Sequence, residues 1–206
     1  MISIEIRWFL DEPQKKIIAE KWFKEIGGKL DNPEVRTDFY LPRTFGSSIG
    51  VKLRSYKNEP KVEIKEKLKT IEMADAKSIG IVEVWNKWRF ALDKNDETSG
   101  EITGEKVEWV KMEKSRSLIK YEILSDNKFR IVNEDVDSAC NVEITDIKVG
   151  DKYWWTLGFE TFRADDNYEK SFQNLEIIFR EVMTKELLQI LKLNNSYSYP
   201  GFIEQL

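Results

Sequence analysis

Histidine is absent from the 206 residues, and cysteine occurs once, at Cys140. Without histidine there is no Ser-His-Asp or Cys-His arrangement, no imidazole acid or base, and no common histidine-containing zinc site. A lone cysteine excludes an intramolecular disulfide framework and fits a reducing compartment. Lacking a histidine partner, Cys140 is expected to be a buried small hydrophobe. Long apolar runs are missing as well. The opening stretch carries Glu5 and Arg7, unlike a signal-peptide core, and no run approaches membrane-spanning length. The expectation is a cytoplasmic protein with no membrane partner. Charge of one sign is also lacking: 33 basic against 37 acidic side chains leave a net −4. That balance gives no whole-chain attraction to nucleic acid, so any anion site must come from local clustering of Lys and Arg.

Hydrophobic residues make up 41% of the chain and charged residues 34%, which is globular but unusually charged. The length suits one domain spanning 1–206. Residues 3–8 alternate and read as a strand. Asp11-Glu12-Pro13 opens a helix that runs to about Ile26, with Ile17, Ile18, Phe23 and Ile26 as its apolar face. Strand candidates then dominate: 37–41, 50–56, 61–68, 80–92, 106–112, 115–124, 129–132, 141–147 and 152–162. A Gly/Ser loop falls at 46–48, a polar loop at 96–104 and a hairpin turn at Val149-Gly150-Asp151. A long amphipathic helix is expected over 168–193, with Phe172, Leu175, Ile178, Val182, Leu187 and Leu191 as its stripe. The tail 196–206 reads as irregular. Many short strands closing with a helix indicate an α+β fold, an antiparallel barrel or sandwich with helices packed outside.

The strands alternate charge in register. Lys52 and Arg54 share one face opposite Val51 and Leu53. Lys61, Glu63, Lys65, Lys67 and Lys69 share a face opposite Val62, Ile64, Glu66 and Leu68. Glu5 and Arg7 oppose Ile4, Ile6 and Trp8, while Lys87 and Arg89 alternate with Trp88 and Phe90. Lys114 and Arg116 form another pair; Glu143 and Glu160 mark two later strands. Such faces belong either to solvent, as in half-buried antiparallel strands, or to the interior of a closed barrel. A lined interior could hold a polyanion on Lys and Arg and a divalent cation on Glu.

These residues carry a resemblance. Ser3-Ile4-Glu5-Ile6-Arg7, Lys52-Leu53-Arg54, Glu63-Ile64-Lys65-Glu66-Lys67, Lys87-Trp88-Arg89, Lys114-Ser115-Arg116, Val142-Glu143-Ile144-Thr145 and Gly158-Phe159-Glu160 follow one another in an order and spacing similar to the CYTH superfamily, the triphosphate tunnel metalloenzymes. The resemblance implies an eight-stranded antiparallel β-tunnel with helices outside. It also implies cleavage of a phosphoanhydride of tripolyphosphate, thiamine triphosphate or a nucleoside triphosphate, although some members cyclise ATP and some only bind. Mg²⁺ or Mn²⁺ held by glutamates is the implied cofactor. Two departures stand out. Ser3 occupies the place of the first motif glutamate, and Arg7 that of its lysine, which keeps the charge but changes the geometry.

On this resemblance the phosphate-binding candidates are Arg7, Lys52, Arg54, Lys65, Lys67, Arg89, Lys114 and Arg116. The planar fork of Arg54 is the best suited to bidentate contact. Glu5, Glu63, Glu143 and Glu160 are the metal candidates, with neutralisation of neighbouring bases as the competing role. Glu63, Lys65 and Arg54 are the catalytic candidates, and Asp135 reads as a loop acid. The expected function is a metal-dependent phosphohydrolase acting on a small-molecule triphosphate or polyphosphate, as a monomer or homodimer without nucleic acid. The alternative is a non-catalytic polyphosphate- or nucleotide-binding module. Aromatic clusters at Trp85–Trp88 and Tyr153–Trp155 are assigned to the core rather than to base stacking.

Overall fold

Strand β1 (Ile2–Leu10) sets the two faces of the molecule. Ile4, Ile6, Trp8 and Leu10 are at most 1% exposed and point to the outer core, whereas Ser3, Glu5, Arg7 and Phe9 point the other way. The computed structural model describes residues 1–42, 46–56, 59–93, 108–124 and 128–206. Within them follow α1 (Pro13–Glu25), β2 (Glu34–Tyr40), β3 (Ile49–Tyr56), β4 (Glu59–Ile71), β5 (Val82–Ala91), β6 (Val110–Ile123), β7 (Phe129–Val132), β8 (Ser138–Val149), β9 (Lys152–Arg163), α2 (Tyr168–Val182), α3 (Lys185–Ile190) and α4 (Tyr199–Ile203).

The strands pair in the order β2-β3-β4-β5-β1-β9-β8-β6, and β6 returns to β2. Eight antiparallel strands therefore close into a barrel, with β7 extending β6 at its edge. Closure removes the exposed edges that an open sheet of this size would present. The outer face of β1, β5, β8 and β9 packs against α1 and α2: Trp22 donates its indole N–H to the Val182 carbonyl at 2.6 Å, and Trp8 stacks on Phe179 at 6.4 Å. Cys140 lies in this outer core, fully buried, where desolvation pushes its thiol pKa up and leaves it inert.

Several sequence expectations change in detail. Candidates 106–112 and 115–124 are one strand, β6; alternation runs through Glu113, which faces outward to Lys111 at 2.7 Å. Residues 106 and 107, and the loop expected at 96–104, lie outside the described residues. On α1 the buried stripe is Ala19, Trp22 and Phe23, and Ile17 is 66% exposed. The expected helix 168–193 stops at Val182, because Met183 turns extended and Thr184 caps a new helix by accepting from the Leu187 N–H. The hairpin at Gly150 forms as expected, with Gly150 at φ +56, in the left-handed region that favours glycine.

The tail is ordered rather than irregular. Ser198 caps α4, with Pro200 in its first turn. Phe202 stacks on Phe9 at 4.1 Å, and Tyr199 on Tyr40 at 5.8 Å. With Met112, Ile147 and Ile203 they form a second apolar cluster that closes one end of the barrel.

Candidate functional site

The inward faces of β1–β6, β8 and β9 enclose a cavity of about 290 Å³. Its described lining holds ten basic side chains (Arg7, Arg36, Lys52, Arg54, Lys65, Lys87, Arg89, Lys114, Arg116 and Lys120) against five acidic ones (Glu5, Glu63, Asp135, Glu143 and Glu160). The alternation seen in sequence therefore faces a lined interior rather than solvent. Every phosphate candidate except Lys67 reaches the cavity, as do all four glutamates. Lys67 lies beyond it, beside the register shift between Lys67 and Lys69, and is turned to Glu83 at 3.1 Å and Ser47 at 3.4 Å.

Each glutamate is engaged by a base. Glu5 accepts from Lys65 at 2.6 Å, and Glu160 pairs with Lys87. Glu63 lies 2.6 Å from Lys52 and 2.9 Å from Arg89. Glu143 accepts from Arg7 at 2.6 Å and from Arg116 at 3.4 Å. Burial alone would raise the pKa of Glu5, but Lys65, Lys87 and Arg7 outweigh it and hold it at about 2. Glu63 and Glu143 are likewise kept well below the usual carboxylate range against burial, by Lys52 and Arg7 respectively. Among the described residues no three acidic side chains gather at one point. Ser3 adds only a hydroxyl, buried and without a hydrogen-bond partner. As the side chains stand, this donor set does not fit the Mg²⁺ or Mn²⁺ that the resemblance implies.

Hydrogen bonding in this interior is incomplete on both signs of charge, Asp38 Oδ1 being buried without a donor. Nε of Arg7, Arg36 and Arg54 is buried with no hydrogen-bond acceptor. Arg36 and Arg54 are charge-paired with Asp38 through Nε at 3.6 and 3.4 Å, outside hydrogen-bonding geometry. Near the closed end Lys114 sits 2.9 Å from Asp38, donates to the Tyr40 hydroxyl at 2.6 Å and lies 3.4 Å from the centre of the Tyr199 ring. Burial brings Lys114 down to about 7 against the pull of Asp38, and Lys52 down to about 7 against Glu63. An anion entering the cavity would therefore meet a described lining in which bases outnumber acids, with two lysines that can take up protons.

Arg36, Asp38, Tyr40 and Tyr199 were not among the candidates. The first three had a signal: Glu34-Val35-Arg36-Thr37-Asp38-Phe39-Tyr40 alternates as clearly as β1, but the strand was expected to start only at Thr37. Tyr199 had none, because its position depends on α4 docking across the barrel end. Asp135 is a loop acid at the rim, 3.0 Å from Lys120. Of the aromatics, Trp85 and Trp155 are core, whereas Trp88 and Tyr153 are 39% and 64% exposed.

No family model and no curated protein sequence matches the chain. Among solved structures it is similar to the PH1012 protein of Pyrococcus horikoshii OT3, at 15% identity over 98% of each chain with a TM-score of 0.52. It is also similar to a conserved hypothetical protein of Pyrococcus furiosus (13% identity, 96% and 98% of the two chains, TM-score 0.49). A third is the mimivirus capping enzyme triphosphatase (12% identity, 89% of each chain, TM-score 0.44). The shared fold rests on the first of these. Sequence resemblance and architecture agree: the chain has the eight-stranded tunnel fold that its likeness to the CYTH superfamily implied.

Proposed function

We propose that this tunnel holds the phosphate chain of a linear triphosphate, either inorganic or carried by a small organic group, and cleaves one of its phosphoanhydrides. The observation that carries the binding half is the set of buried arginine N–H groups without acceptors on Arg7, Arg36 and Arg54, in a cavity whose described lining has twice as many bases as acids. A phosphate oxygen is the acceptor such donors lack, and hydrogen bonds between charged partners are about twice as strong as neutral ones. Arg54 offers a planar fork, and Lys52, Arg89 and Arg116 add charge along the walls. Because α4 closes one end, the chain enters from the other and its terminal phosphate lies toward Arg7 and Lys114.

The cleavage half rests on the resemblance. The same Lys and Arg groups would absorb charge developing on the transferred phosphoryl oxygens as water attacks. Glu63 holds Lys52 and Arg89 in place, and Lys65 lines the wall beside Glu5. A second reading, binding without cleavage, is favoured by Ser3 and by the engagement of every lining glutamate. The deciding experiment measures phosphate release from tripolyphosphate and ATP with Mg²⁺, Mn²⁺ or chelator, and follows thermal stability in the same samples. Turnover supports the hydrolase. Stabilisation by the anion without turnover supports the binding module. Absence of both effects would overturn the anion reading.

A further inference from the structure

We infer that the tunnel grips its anion without a divalent cation, because lysines already occupy the row of carboxylates that such an ion would need. The inference rests on the reading of the cavity as a phosphate site.

Strand β1 lies between β5 and β9, and the register sets Glu5 directly opposite Glu83 on one side and Glu160 on the other. Three glutamate positions thus stand side by side across three strands. Like charges directly opposed repel, so the row demands cations for the barrel to close at all. The chain supplies three, one per carboxylate: Lys67 to Glu83 at 3.1 Å, Lys65 to Glu5 at 2.6 Å, and Lys87 to Glu160. Two of these ammonium groups are also held from a second side. Lys65 Nζ lies 4.0 Å from the centre of the buried Trp85 ring, and Lys67 Nζ lies 6.0 Å from it.

The row is therefore balanced before any ligand arrives. Glu5, Lys65 and Lys87 are each at most 9% exposed. An ion bridging two of these carboxylates would expel two ammonium groups and leave them without partners, and an uncompensated buried charge is strongly unfavourable. Ser3, the next inward position on β1, offers the ion no compensating charge. The division of labour follows: lysines on β4 and β5 serve as counter-ions to the row, and the arginines, Lys52 and Lys114 meet the phosphate.

The test is calorimetric titration of tripolyphosphate into the protein in chelator and again with Mg²⁺ or Mn²⁺. Uptake of Mn²⁺ alone is followed by the free-ion paramagnetic resonance signal. The expected result is binding in chelator with no loss of affinity, and no uptake of Mn²⁺ by the wild-type protein. The double substitution Lys65→Gln, Lys87→Gln uncovers Glu5 and Glu160 and should create Mn²⁺ uptake. If that variant does not fold, the wild-type measurements decide alone. A loss on the order of tenfold or more in chelator, about 1.4 kcal/mol, would overturn the inference and leave the anion site standing. Mn²⁺ uptake by the wild type, or a folded double variant that ignores Mn²⁺, would overturn it as well. No binding under any condition would overturn the anion reading itself, and this inference with it.

Discussion

Substituting Gly158 by alanine perturbs the proposed anion site with a single methyl group and no change of charge. Gly158 lies opposite Arg7 across β1 and β9, and a Cβ there would sit 2.6 Å from Arg7 Cζ and 2.7 Å from both terminal nitrogens. Strand β9 is paired on both sides, so the guanidinium has to move rather than the backbone. That group is 4% exposed and donates to Glu143 at 2.6 Å and Thr156 at 3.1 Å. Removing one partner of a buried ion pair costs about 3–5 kcal/mol. Here the charge is shifted rather than deleted and Arg116 stays near Glu143, so a loss of about 1–3 kcal/mol is expected. For tripolyphosphate the lost contact is one charge-assisted hydrogen bond, about 1.5–3 kcal/mol, or roughly ten- to hundredfold in Kd. Urea unfolding and calorimetry on the same preparation measure both, with Arg7→Met as reference. Unchanged affinity in both variants would refute Arg7 as a phosphate ligand. Lost affinity in Arg7→Met alone would show that Arg7 does not need the space Gly158 leaves.

Because Lys52 and Lys114 sit at about 7 in the free protein, a bound polyanion should draw protons onto them. Calorimetry in buffers of different ionisation heat should give uptake approaching about two protons near pH 8 and little at pH 6, with affinity falling as pH rises through 7; heats independent of buffer at pH 8 would sink the idea. Glu5 titrates at about 2 in the fold against 4.5 ordinarily. A depressed carboxylate adds stability that is complete above the unfolded value and lost as pH falls through the folded one. Urea midpoints should therefore fall as pH drops from 4.5 toward 2, with Glu63, Glu143 and Asp38, also held low in the fold, adding to the loss over the same range and beyond it; an unchanged midpoint at pH 3 would contradict this. Phe202→Ala removes the ring stacked on Phe9 in the closed end, where Phe202 is 5% exposed. It should cost about 3–5 kcal/mol in urea unfolding, and a loss well under about 1 kcal/mol would mean that α4 is loosely seated.

Much of the tunnel was legible because charge repeated with period two, the one pattern that puts a strand's polar side chains on a single face. Lys52 and Arg54, Glu63 and Lys65, Lys87 and Arg89, Lys114 and Arg116 all line the cavity for that reason. Position along the chain was less legible than face. Lys67 keeps the alternation of β4 yet falls past the cavity next to a register shift, which has no local signature. Thr184 carried the cap that splits the expected long helix, but an apolar stripe that continued through Leu187 and Leu191 masked it. Tyr199 entered the site through docking of α4, a tertiary contact that no periodicity encodes.

The carboxylates make the same point about chemistry. In sequence, Glu5, Glu63, Glu143 and Glu160 read as metal ligands with neutralisation of a neighbouring base as the close competitor, because residue type and inward face are the same in both roles. What separates the roles is which side chain stands opposite, and that is set by pairing between strands far apart in the chain: Glu5 meets a lysine 60 residues away, and Glu143 an arginine 136 residues away. A barrel that brings Glu83, Glu5 and Glu160 abreast must bring cations with them, and here the cations are side chains. The charge pattern of a single strand therefore predicts the interior of such a tunnel, but only the register between strands says whether its acids are free to do anything else.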